Sequence, residues 1–302
     1  MLSYTTQRNL FGDLTFNDTS DNLTLGDTLI NTSLRRILGM RPWPFLLKTN
    51  TQSTVASTQF YNLPFNFSKL AGGGVTVTVS STKYTPKEAP GVDFWNKLNQ
   101  STTVESNIPE WFFVLNGQLG LWPIPSTAGN TITYTFKVRV KDLSIADYST
   151  GAVGTATSGT TIVFGSASSW TVKMAGRWLR ITDANSASAG DGEWYEIDTI
   201  SSATALLKRN YAGETIGAVN AAYTIGQMSL LPEGFEDAPV YEAAAIRMAR
   251  LDANLAASYK AIADEKIRGL IEQFSNLTDD VTVDHSEDRD SVMPNPNFFI
   301  TL

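Results

Sequence analysis

The sequence contains no cysteine and a single histidine, His285, in 302 residues. Without cysteine there is no disulfide scaffold, thiolate zinc site, iron–sulfur cluster or cysteine nucleophile. With one histidine there is no three-histidine metal site, and no Ser-His-Asp arrangement away from His285. Charge is also scarce: Asp, Glu, Lys and Arg make up 18% of the chain, against a usual quarter. Ser, Thr, Asn and Gly take its place, which favours strands and turns with neutral polar faces. The balance is acidic, with 30 Asp and Glu against 23 Lys and Arg for a net charge of -7, so no broad basic face wraps duplex nucleic acid. No apolar run approaches the roughly 18 residues of a membrane span. The opening Met1-Leu2-Ser3-Tyr4-Thr5-Thr6-Gln7 lacks a charged region followed by an apolar one and is expected not to be a secretory signal.

Periodicity divides what remains. Residues 1–20 are polar and read as an N-terminal arm. Over 23–38, Leu29, Ile30, Ser33, Leu34, Ile37 and Leu38 share one helical face. Asp27 is placed to cap that helix and Gly39 to end it. Arg35 and Arg36 stand in the last turn, where the helix dipole favours cations. Residues 50–140 read as β: Val75, Val77 and Val79 alternate with polar residues, and Asn116-Gly117 between two apolar runs predicts a type I′ hairpin. The Gly72-Gly73-Gly74 run precedes a strand rather than a Lys and a helix, so it reads as a turn and not a phosphate loop.

From about residue 147 to 228 the composition shifts to Gly, Ala, Ser and Thr. Short strands are predicted at 160–164, 177–182, 193–199, 203–208 and 222–225, the pattern of a small all-β sandwich or barrel. Over 237–274 two apolar stripes predict one long helix, or two broken near Asp252, with Asp237 as cap and Pro239 in the first turn. The expected fold is therefore α+β: a helical block with long C-terminal helices and a β-hairpin layer. Its core is discontinuous (21–146 and 229–278), 147–228 is an inserted all-β domain entered and left through Ala- and Gly-rich linkers, and 279–302 is a tail. Each end carries apolar residues that a solvated tail cannot use. Phe11 and Phe16 at the front and Phe298, Phe299 and Ile300 at the back are expected to be assembly contacts, since burying one such side chain is worth roughly 1.5–3 kcal/mol.

Chemical machinery is sparse. His285 lies in a charge run with Asp284, Glu287, Asp288 and Asp290, which reads as a solvated segment. Asp183-Ala184-Asn185 faintly resembles a calcium loop, but Ser188 occupies the position that needs Gly. Glu193 and Glu196 flank Trp194-Tyr195 with Trp178 nearby, the ingredients of a sugar-binding or glycosidase surface. Three residues apart in a strand, however, the two carboxylates point to opposite faces. Arg35, Arg36 and Arg41 are the nearest approach to a phosphate-binding cluster. No catalytic, cofactor or metal residue is assigned, and the chain is not expected to be an enzyme.

Several segments together resemble a known family. The helix Leu29-Ile30-Asn31-Thr32-Ser33-Leu34-Arg35-Arg36-Ile37-Leu38-Gly39 is followed by Tyr61-Asn62-Leu63-Pro64-Phe65-Asn66-Phe67. Then come the hairpin Phe113-Val114-Leu115-Asn116-Gly117-Gln118-Leu119-Gly120-Leu121-Trp122-Pro123-Ile124-Pro125, the strand Thr131-Ile132-Thr133-Tyr134, and a helical block opening Leu231-Pro232-Glu233-Gly234. This order resembles the head-to-tail adaptor (connector) proteins of short-tailed, podovirus-like bacteriophages. The resemblance implies a structural virion protein at the head–tail junction, assembled in the host cytoplasm. It implies a homo-oligomeric ring, commonly of twelve copies, between the portal protein and the tail nozzle or tail fibre proteins. DNA would pass through without sequence-specific binding, and an acidic wall would repel rather than hold its phosphates. The alternative is a carbohydrate-binding or tail-fibre-attachment protein acting through the inserted β domain.

Overall fold

A computed structural model describes residues 1–100, 104–183 and 190–292, the side chains at 73, 183, 218–220 and 275–292 excepted. The chain divides into two compact units: Pro42–Lys141, and Met1–Arg41 together with Asp142–Leu302. The β domain within 147–228 shares a unit with the helices.

Where the sequence predicts a polar arm, the chain forms helix α1 (Tyr4–Thr15), capped by Ser3, whose hydroxyl accepts from the Thr6 amide. Its buried face is Tyr4, Gln7, Phe11, Gly12 and Thr15, too polar to register as an apolar stripe. Helix α2 (Ser20–Gly39) starts seven residues before Asp27. Thr19 is its cap, and Asp27 instead pairs with Arg8 of α1 at 3.1 Å. Ile30, Leu34, Ile37 and Leu38 are buried on α2, the stripe its period predicts.

The unit Pro42–Lys141 holds β1 (Leu47–Ser53), β2 (Phe60–Asn62), β3 (Phe67–Val79), β4 (Thr82–Tyr84), β5 (Lys87–Glu88), helix α3 (Val92–Gln100), β6 (Trp111–Leu115), β7 (Gln118–Trp122) and β8 (Thr131–Val138). Two four-stranded sheets form, ordered β1-β8-β3-β4 and β2-β7-β6-β5. The β6–β7 hairpin turns on Asn116 and Gly117, both at positive φ (51° and 77°), as the type I′ turn requires. Helix α3 is absent from the sequence expectation. It is short, and Trp95 is its one buried residue.

The β domain is a closed six-stranded barrel of β9 (Ala152–Ala156), β10 (Ile162–Ser166), β11 (Trp178–Asp183), β12 (Trp194–Ile200), β13 (Thr204–Leu207) and β14 (Ile216–Gly226), in the order β10-β13-β12-β11-β14-β9. Alternate residues fill it, among them Val153, Val163, Leu179, Tyr195, Ile197, Leu207 and Tyr223. Closure leaves no sheet edge open. The chain crosses into and out of the barrel through polar clamps. Asn31 of α2 treats Leu143 as a strand would, accepting from its N–H at 2.7 Å and donating to its C=O at 2.8 Å. Gln227 Oε1 accepts from the amides of Ser144 and Ile145, while its Nε2 donates to the Asp142 carbonyl. Ser3 Oγ donates to Asp147, and the Tyr4 amide to the Gln227 carbonyl.

Two helices follow, α4 (Ala238–Met248) and α5 (Ala253–Val292). They break where Asp252 caps α5, its carboxylate accepting from the Asn254 and Leu255 amides at 3.0 Å. Asp237 occupies the cap position of α4 without a side-chain cap bond and pairs instead with Lys266 at 3.1 Å. Helical backbone continues through Val292, over part of the predicted tail, and residues 293–302 lie outside the described ones.

Candidate functional site

A cleft of about 370 Å³ opens on the outer face of the barrel, lined by Met1, Trp178, Glu193, Trp194, Glu196, Lys208, Arg209 and Glu233. The pairing of β11 with β12 builds it. Trp178 lies opposite Glu196 and Arg180 opposite Trp194 on the outer face, while Leu179 and Tyr195 pair inward. Glu193 joins the same cleft, contrary to the strand alternation expected for it. It precedes β12 and follows Gly192, which has a φ of 72°, so the pleat does not dictate its direction. The aromatic–carboxylate set singled out from sequence is therefore gathered in one place.

Its electrostatics do not suit acid–base chemistry. Glu196 is held by the Lys208 ammonium at 2.5 Å, and Glu193 lies 3.5 Å from Arg209. Arg209 also donates to the Trp194 carbonyl and stacks 4.4 Å over the Tyr195 ring. Trp194 is only 8% exposed, with the Arg180 guanidinium 5.8 Å from its ring centroid, so little of its face is open to a sugar. At the rim, the Met1 amino group donates to Glu233 and holds that carboxyl below the usual range, whereas burial pushes the neighbouring Glu236 up. Among the described residues no cluster of His, Asp and Glu is placed to hold a metal. Residues 184–189 of the calcium-like loop, and the His285 side chain, lie outside the described residues.

The arginine cluster is likewise occupied. Arg35 forks onto Asp142, and Arg36 reaches across from α2 to the buried Glu242 of α4, its Nε donating at 3.1 Å. These two arginines fasten elements together rather than wait for phosphate.

The predicted assembly contacts separate. Phe11 is wholly buried and fills its own helical core, pressed against Gly26 of α2, where an added Cβ would come within 2.4 Å of the ring. Phe16 is 78% exposed and sits in the left-handed region at φ 52°. An L residue there costs about 1–2 kcal/mol, and this one gains no burial within its own chain. Phe298, Phe299 and Ile300 lie outside the described residues. Sequence reading misses a second exposed group in the Pro42–Lys141 unit: Phe65, 70% exposed, with the Lys141 ammonium 4.1 Å from its ring centroid. Its only signal in the sequence is a phenylalanine in a turn beside Pro64.

Comparison with curated proteins finds no match. Comparison with protein families matches residues 5–162 to the family described as SU10 adaptor protein. The matched span takes in α1 beyond Tyr4, all of α2, the whole Pro42–Lys141 unit and the first barrel strand. It bears out the adaptor part of the resemblance read from the sequence. Since it covers more than half of the 302 residues, the chain belongs to the SU10 adaptor protein family.

Proposed function

We propose that this protein is the head-to-tail adaptor of a short-tailed phage particle, a non-enzymatic ring between the portal protein and the tail nozzle or fibre proteins. Twelve copies would surround a channel through which DNA passes without sequence-specific binding. The family match over 5–162 carries the reading. The state of the polar groups supports it: Glu193 and Glu196 of the cleft, and Arg35 and Arg36, are engaged within the chain. Such a surface serves packing rather than turnover. An acidic chain is also suited to line a DNA channel, because phosphate is repelled from its wall.

Electron microscopy of purified particles, and of the recombinant chain mixed with its portal protein, tests this. The expected density is a ring of this chain directly below the portal, with twelvefold symmetry. Finding the chain on a tail fibre, or absent from the head–tail junction, overturns it.

A further inference from the structure

Charge is divided unevenly along this chain. Residues 42–141 carry eight Lys and Arg against four Asp and Glu, whereas the remainder carries fifteen against twenty-six. One corner of the Pro42–Lys141 unit concentrates the excess. Register places Leu47 of β1, Lys137 of β8 and Lys69 of β3 in one row across the sheet, on the face opposite buried Phe136 and Val138. Two residues beyond Lys137, the Arg139 amide donates to the Asn66 carbonyl, next to exposed Phe65 and the Lys141 that covers its ring. Lys69, Lys137, Arg139 and Lys141 make no ion pair among the described residues. Burial and the nearby Arg139 charge hold the Lys141 pKa below its ordinary value, as expected of cations crowded without a counter-charge. The corner is thus basic, with two exposed apolar residues, Leu47 and Phe65.

The α1–α2 turn of the other unit is its chemical opposite. Phe16 projects from it, and Asp13, Asp18 and Asp21 surround it in sequence, all exposed and in no ion pair among the described residues. Arg247 is fixed near this end, its Nε donating to Asn22 Oδ1. An exposed phenylalanine held at positive φ and rimmed by acids matches an apolar seat rimmed by lysines.

We infer that the Phe16 turn of one copy docks on the Leu47–Phe65–Lys69–Lys137 corner of a second copy. The contact is heterologous, head to tail, and such contacts close into rings when the rotation allows. Complementary charge sets partner and register, and the aromatic anchor supplies the desolvated centre. The inference rests on the ring reading above and adds the surfaces that would make the ring. A second copy fits better than DNA because duplex backbone has no use for exposed Leu47 and Phe65, whereas the acidic turn supplies both charge and an aromatic.

The test is sedimentation and native mass spectrometry of the full chain at low and high salt. Variants are Phe16→Ala, the pair Asp18→Lys with Asp21→Lys, the pair Lys69→Glu with Lys137→Glu, and all four charge changes together. Circular dichroism confirms that each is folded. The wild type is expected to self-associate, less so in salt. Phe16→Ala and each charge pair should weaken association by about tenfold or more, and the fourfold variant should recover much of it. Charge-pair variants that associate as well as wild type overturn the inference while leaving a ring built by other surfaces. So does a wild type that stays monomeric at low salt and high concentration, with the adaptor reading still open to test on particles. Duplex DNA binding that is lost with Lys69→Glu and Lys137→Glu, while self-association is unchanged, assigns the corner to nucleic acid instead.

Discussion

Replacing Asn31 tests how the barrel is fastened to the helices. Its side chain is 8% exposed and replaces a strand partner for Leu143, accepting at 2.7 Å and donating at 2.8 Å. A third bond runs back to the Asp27 carbonyl at 2.9 Å. Asn31→Ala strands the Leu143 N–H and C=O together in a buried place, at about 1–3 kcal/mol for each group left unpaired. Partial relaxation toward water lowers the sum, and about 2–4 kcal/mol is expected. For a unit of some 200 residues this shifts the melting temperature down by about 5–15 °C. Asn31→Leu separates polarity from volume, since it refills the space and still leaves both backbone groups without partners. If the hydrogen bonds matter, Asn31→Leu melts nearly as low as Asn31→Ala. Hydrogen exchange at the Leu143 amide should also quicken in both variants. An Asn31→Leu protein as stable as wild type, with Leu143 still protected, refutes the reasoning and reduces Asn31 to a space filler.

Other outcomes follow from single contacts. Gly26→Ala gains about 1 kcal/mol of helix propensity, yet its Cβ would meet the Phe11 ring at 2.4 and 2.6 Å. Expelling a fully buried ring outweighs that gain, so a net loss of about 1–2 kcal/mol is expected by denaturant titration; an unchanged or raised midpoint contradicts the packing. Tyr223 accepts from the Trp170 indole at 2.8 Å and donates to the Thr150 carbonyl at 2.6 Å, and burial raises its phenol to about 12. A phenol raised in the folded state ionises first in the unfolded chain, so barrel stability should be flat below pH 10 and fall between about 10 and 12. Phenolate absorbance and circular dichroism followed together check this, and phenolate forming near pH 10 in a still-folded barrel would contradict it. A glycan screen of the full chain should give no saturable binding sensitive to Trp194→Ala, because Trp194 is buried and Glu193 and Glu196 are ion-paired.

The β parts of this fold were open to reading because their signals are local. Asn116-Gly117 works as a hairpin turn whatever surrounds it, and apolar alternation marks β10 to β13 in the barrel. β9 escapes because Ala152-Val153-Gly154-Thr155-Ala156 offers little bulk, and its place in the sheet comes from closure against β10 and β14. The helical block is harder for a different reason. Its helices approach through small and polar residues: Gly12 and Gly26 where a Cβ has no room, and Asn22, Asn31 and Glu242 buried with polar partners. A search for apolar period finds the Ile30–Leu38 half of α2 and passes over α1 and the first two turns of α2. The cleft was legible in its residue types but not its geometry. Glu193 reaches Glu196's side of the barrel through a glycine turn that alternation cannot anticipate.

The span shared with the adaptor family ends at residue 162, the first residue of β10, and this is not a structural boundary. A barrel cut there would leave β9 without either neighbour, since β10 and β14 both lie beyond the cut or straddle it. The same holds for the helices. α2 and all of α1 but Tyr4 lie within the match, yet both pack on α4, which lies outside it. Arg36 reaches Glu242, Arg247 donates to Asn22, and the Tyr259 hydroxyl donates to the Leu14 carbonyl at 3.0 Å. Without those helices the faces of α1 and α2 that pack on α4 would meet water, at roughly 1.5–3 kcal/mol for each large apolar side chain exposed. Whatever the matched segment does as an adaptor, it does on a framework that the remaining residues complete. Truncation at the end of the match should therefore abolish folding of the helical unit rather than yield a smaller adaptor.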